Sequence, residues 1–146
     1  MRLRYLLAVA AVISLQSAAW ASNKLDGRWS LAITIPDSPG SRNQITFQVV
    51  LDALPRGDSL HGRAMITDAE NKAVAAVWRQ VGKRVFIIYE LPCQENCATI
   101  LLTGKMKGGG TLIRKGKVIV MWDTPNDRDP ALYDTSVGSF SGLRLE

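Results

Sequence analysis

The chain has 146 residues, of which 47% are hydrophobic and 21% charged, with a formal net charge of +5. That is one domain's worth of chain, with enough apolar residues for a core. Loss of a leader carrying Arg2 and Arg4 lowers the +5 by two; the remaining excess is mixed with acids along the chain, which suits a solvated surface and excludes reading it as a nucleic-acid signal in an exported protein.

The leader is the first element. Arg2 and Arg4 precede an apolar stretch from Tyr5 to about Leu15, and Ala19-Trp20-Ala21 supplies small residues at a cleavage site. Charged start, apolar middle and small-x-small end define a secretory signal peptide. The alternative, a retained membrane anchor, needs a longer apolar run. No cysteine stands at the cut to take a lipid. The expected division is residues 1–21 as signal peptide and 22–146 as a single domain, periplasmic or secreted.

Eight short apolar runs follow. Gly27–Ile35 alternates Trp29, Leu31, Ile33 and Ile35 against smaller polar residues, the period of a strand with one buried face. Gln44–Leu51 repeats this with Ile45, Phe47, Val49 and Leu51. Leu60–Thr67 sets Leu60, Gly62, Ala64 and Ile66 on one face. Ala73–Val81 is ambiguous, since Val74, Val77, Trp78 and Val81 also sit at helical spacing. Gly82-Lys83 and a clear strand follow at once, which favours a hairpin. Arg84–Leu91 aligns Val85, Ile87, Tyr89 and Leu91. Ala98–Met106 aligns Ala98, Ile100, Leu102, Gly104 and Met106. Thr111–Asp123 alternates Val118, Val120 and Trp122, and Gly138–Leu145 is the last run.

The gaps alternate. Pro36–Asn43, Asp68–Lys72, Pro92–Cys97 and Thr124–Ser136 are mostly long, whereas Pro55–Ser59, Gly82-Lys83 and Gly108–Gly110 are short and contain glycine. Successive connections of an antiparallel meander fall at alternate ends. The pattern predicts an all-β, eight-stranded antiparallel up-and-down barrel with one tight floor and one loop-bearing rim suited to contact.

Gly27-Arg28-Trp29 at the first strand and Arg144 near the end of the last resemble the lipocalin-like (calycin) barrels. In that family a Gly-x-Trp places an indole across the closed end and an arginine of the last strand packs over it. The resemblance implies that Trp29 and Arg144 close the barrel. A guanidinium on an indole face gains about 0.5–2 kcal/mol. The chain also resembles small exported bacterial barrels that inhibit secreted or lytic enzymes, which share the leader and a single disulfide.

Few residues suggest chemistry. Cys93 and Cys97 share one loop, and in an exported protein two cysteines this close are expected to form a disulfide worth about 2 kcal/mol. A thiol pair for copper or redox work is the alternative, but the only histidine, His61, falls at the opposite end and on an outer face. The Asp123–Asp129 stretch gathers oxygen ligands yet lacks the glycine and final glutamate of an EF-hand loop; turn formation accounts for it. No nucleophile elbow is present, so no enzyme, cofactor or metal is expected. Lys105, Lys107, Arg114, Lys115 and Lys117 form a basic stretch on adjacent strands, read either as a solvated face or as a docking patch for an anionic partner.

An eight-stranded barrel is just wide enough to be filled by side chains or to hold one small ligand. Gly62, Ala64, Ala98 and Gly104 would leave space inside. The first functional reading is therefore a carrier of a small apolar ligand among Phe47, Tyr89, Ile100 and Trp122, with Tyr89 as the polar handle. The second is a protein-binding module, such as an inhibitor, acting through the loops Pro36–Asn43, Pro92–Cys97 and Thr124–Ser136. Neither involves nucleic acid or a stable membrane span.

Overall fold

Each of the eight alternating runs is a strand. The computed structural model describes residues 24–37, 40–55, 60–91, 98–125 and 133–145. The strands are β1 Gly27–Pro36, β2 Gln44–Pro55, β3 His61–Thr67, β4 Ala73–Val81, β5 Arg84–Leu91, β6 Ala98–Lys107, β7 Leu112–Pro125 and β8 Tyr133–Leu145. Each pairs antiparallel with its neighbours in sequence, and β8 returns to β1, closing the barrel. Closure leaves no edge strand to pair with other chains.

The ambiguous segment 73–81 is strand β4, paired with β3 from Ala73 to Arg79 and with β5 from Ala76 to Val81. Its buried residues are Ala76, Trp78 and Gln80, at period two. Val77 and Val81 lie on the outer wall, 54% and 58% exposed. Two apolar residues on a wet face created the false helical spacing.

Strand ends differ from the expected ones where the ladder outruns the hydrophobic pattern. β3 starts at His61, so Leu60 precedes it and is 41% exposed. β2 runs on to Pro55. The largest change is β8, which begins at Tyr133 rather than Gly138, while β7 extends to Pro125. Thr124, Pro125 and residues 133–136 of the expected loop Thr124–Ser136 therefore belong to strands, with Val120–Ser136 and Met121–Thr135 as ladder pairs.

Alternation of direction puts the β1–β2, β3–β4, β5–β6 and β7–β8 connections at the rim and the other three at the floor. The leader, the Cys93 and Cys97 pair, and residues 126–129 of the acidic stretch lie outside the described residues.

The floor connection between β6 and β7 is a turn of three glycines, Gly108–Gly110, all at positive φ. Beyond it the β7 register shifts between Ile113 and Gly116 on β8, and Lys115 adopts φ 52°. This left-handed conformation disfavours a residue with a Cβ. Lys115→Gly is therefore expected to stabilise the protein by about 0.5 kcal/mol, the strain relieved exceeding the extra backbone entropy of glycine. Urea unfolding measures it, and a loss of stability would contradict the strained bulge.

Candidate functional site

The floor is built around Trp29, which is fully buried. Its Nε1 donates to the Leu25 carbonyl at 2.8 Å. Leu25, also fully buried, donates its own N–H to Gln80 Oε1, and Gln80 Nε2 donates to the Gly82 carbonyl. Gln80 thus pins the segment before β1 against the β4–β5 turn. The Arg144 guanidinium lies over the Trp29 ring, 4.6 Å from its centroid. Nε donates to the Gly110 carbonyl at 2.9 Å, Nη1 to the Asp26 carbonyl at 2.6 Å and Nη2 to the Lys24 carbonyl. Burial lowers the Arg144 pKa, and Asp26 opposes the shift; an arginine stays charged regardless.

Gly27 has a physical reason to precede this Trp. Its φ is 98°, and a Cβ there would stand 3.0 Å from Arg144 Nη1. The glycine both turns the chain into β1 and leaves room for the guanidinium.

Above the floor the interior is filled. Leu31, Ile33, Leu51, Ile87, Ile100, Leu102, Ile113, Val118 and Val120 have no solvent exposure. Two of the small residues expected to leave space do not. A Cβ on Gly104 would meet Ile113 Cγ2 at 2.6 Å and Phe140 Cζ at 3.1 Å, and one on Gly62 would meet the Leu54 carbonyl oxygen at 2.1 Å. Side chains of β7 and β8 take the Gly104 space, and neighbouring backbone takes the space at Gly62. Glycine on an inner row here marks close approach, not a void.

The rim half is packed as well, and what sets it apart is a buried polar group. Tyr89 pairs across the ladder with Ala76 on one side and Ile100 on the other; Ile100 pairs with Val120, and Val120 with Ser136. Ala76 in turn pairs with Ala64, and Ala64 with Ala53, which stands opposite Gly27 at the floor, so the rung descends from rim to floor around the barrel. One inward rung therefore sets a run of alanines beside a tyrosine. Tyr89 is 3% exposed, yet its hydroxyl has no hydrogen-bond partner among the described residues. Burial pushes the phenol well above its ordinary pKa. One step nearer the rim, Trp122 is 6% exposed and donates its Nε1 to Ser136 Oγ at 3.0 Å.

Of the four interior residues singled out by sequence, Tyr89 and Ile100 are direct cross-strand partners. Trp122 lies two residues beyond Val120, the partner of Ile100. Phe47 stands on β2, half-buried and packed against the core. Sequence reading missed Ser136, which it assigned to a loop, and Gln80. Gln80 was legible as the lone polar residue on an inward row of Ala76 and Trp78. His61 is exposed on the outer wall at the floor end.

The closed eight-stranded antiparallel barrel is consistent with a calycin-like fold. No family model matches the chain, and no curated protein or solved structure shows significant similarity to it.

Proposed function

We propose that this chain is an exported, non-catalytic, lipocalin-like barrel that binds a small apolar molecule in the rim half of its interior. The observation that carries the reading is the Tyr89 hydroxyl, buried among apolar walls with no partner among the described residues. Leaving a buried hydroxyl unpaired costs about 1–3 kcal/mol. A ligand with one hydrogen-bonding group would satisfy it, while Ile100, Trp122 and Phe47 would cover the rest of the molecule. The filled floor half limits the ligand to a short one. Trp122 reports on binding at this place, so titration with decanoic acid and decanol, followed by tryptophan fluorescence and native mass spectrometry, tests the reading. Saturable one-to-one binding supports it; no shift and no retained mass with any short apolar probe sinks it.

Tyr89→Phe separates the roles of the hydroxyl. It is expected to weaken probe binding about tenfold, equivalent to one hydrogen bond, while leaving the ligand-free protein as stable or about 1 kcal/mol more stable. The pH dependence follows from the raised pKa. Above pH of about 10 the unfolded chain releases this proton and the native state keeps it, so stability falls as pH rises. Comparing wild type and Tyr89→Phe in urea between neutral pH and pH of about 11 should show a shallower alkaline loss in the variant.

The filled floor half favours a second reading, a module that binds another exported protein through the rim connections. A pull-down whose captured partner is lost on altering residues 40–43 or 68–72 would support that reading over the carrier.

A further inference from the structure

The outer wall carries a feature that ligand binding inside the barrel does not use. On β4, the β4–β5 turn and β5, Arg79, Lys83 and Arg84 are exposed, and on β6 and β7 so are Lys105, Lys107, Arg114, Lys115 and Lys117. Lys105 pairs across the ladder with both Arg84 and Arg114. None of these eight forms an ion pair among the described residues. All thirteen acids lie outside residues 71–89 and 96–122, which supply the whole floor half of this wall. The modest net charge thus conceals a one-signed face.

The same wall presents an apolar rung. Val77, Ile88, Leu101 and Ile119 are successive cross-strand partners from β4 to β7, and Arg63 on β3 is the next partner of Val77. Val77 and Ile88 are 54% and 42% exposed, and Leu101 and Ile119 are half-buried. A shallow groove of about 860 Å³ runs along it between Leu54, Met65, Val77 and Ile88, with Arg63 and, at its rim end, Glu90 in its lining. Cations stand two residues floorward of the rung at Arg79 and Lys117.

We infer that the outer wall of β4–β7 docks the protein on an anionic phospholipid surface, with Val77 and Ile88 in the headgroup–acyl boundary and the basic residues on lipid phosphates. Cations interleaved with exposed aliphatic side chains are the chemistry of an interfacial membrane contact. A soluble polyanion would engage the cations and leave the rung idle. The rung is also only one residue tall, against the roughly 25 Å height of the apolar band of a spanning barrel, and the interior is apolar rather than polar, so the contact is peripheral. The inference stands independently of any ligand inside the barrel.

Vesicle co-sedimentation tests it, using the chain from Ser22 onward, which contains every strand of the closed barrel. Vesicles of phosphatidylcholine with about one-third phosphatidylglycerol should pellet the protein at low salt, and phosphatidylcholine alone should not. Salt of about 0.5 M should release it. Lys105→Glu/Lys117→Glu should weaken binding at least thirtyfold, about fivefold per cation removed. Val77→Ser/Ile88→Ser, on the exposed wall, should weaken it about tenfold, with circular dichroism confirming that both variants fold. Equal binding to both vesicle types, or no binding to the anionic ones, overturns the inference without reference to any variant. Loss of binding in the charge variant but not in the apolar one overturns it in favour of a soluble polyanion.

Discussion

Arg144→Ala is expected to destabilise the barrel by about 3–4 kcal/mol, lowering the melting temperature by about 10 °C or more. The guanidinium donates to three carbonyls in two segments, those of Lys24 and Asp26 before β1 and that of Gly110 in the β6–β7 turn, while covering the Trp29 ring. Charge-assisted bonds of this kind contribute about 1.5–3 kcal/mol each, and less than additively when they share one donor group. Alanine would also leave partly buried carbonyls unpaired and remove the cation 4.0 Å from Asp26 Oδ1. Arg144→Lys tests geometry against charge. An ammonium keeps the charge but cannot point three donors along one plane, so it should recover less than half of the loss. A double-mutant cycle with Trp29→Phe should leave a coupling of about 0.5–2 kcal/mol for the stacked pair. Thermal and urea unfolding measure all of these. If Arg144→Ala costs under about 1 kcal/mol, the arginine is a surface decoration and the floor is held by Trp29 and Gln80 alone.

Arg144 and Trp29 also show why this part of the molecule was legible from sequence. Gly27-x-Trp29 and Arg144 carry their own geometry: a positive φ, a large inward ring and a cation able to lie on it. The strand parities were legible for the same reason, since inward rows such as Val85, Ile87 and Tyr89 must alternate to close a core. Legibility ended where side-chain chemistry stopped tracking burial. Val77 and Val81 are apolar and exposed, so their spacing imitated a helix. Ser136 is polar and buried, so the start of β8 read as loop; only its bond from Trp122 accounts for its burial. Gly62 and Gly104 read as space because a missing side chain says nothing of what fills the gap. The candidate site was half legible. Tyr89 could be picked out as the inward residue with a polar handle, but whether a partner met its hydroxyl depended on the opposite walls, which no local pattern encodes.

Gly116→Ala is the second substitution expected to cost several kcal/mol. Gly116 pairs with Phe140 across the β7–β8 ladder. A Cβ there would stand 2.3 Å and 2.4 Å from the Phe140 ring atoms Cδ1 and Cε1, and 2.4 Å from the Phe140 carbonyl oxygen. The carbonyl belongs to the ladder and cannot withdraw, so the cost should reach or exceed about 3 kcal/mol, the upper end for overpacking. Phe140→Leu alone removes volume from a buried site and should cost about 1–2 kcal/mol. Combined with Gly116→Ala it should recover part of the loss, the part due to the ring, while the carbonyl clash remains. The pair also separates the two halves of the interior. Phe140 fills the space beside Gly104 and Gly116, toward the floor, whereas Tyr89 and Trp122 stand toward the rim. Phe140→Leu should therefore leave decanoic acid or decanol affinity unchanged, in contrast to the loss expected for Tyr89→Phe. If Phe140→Leu instead raises affinity by about tenfold, comparable to a buried methylene or two, the ligand compartment extends to the floor and Tyr89 is only its upper wall.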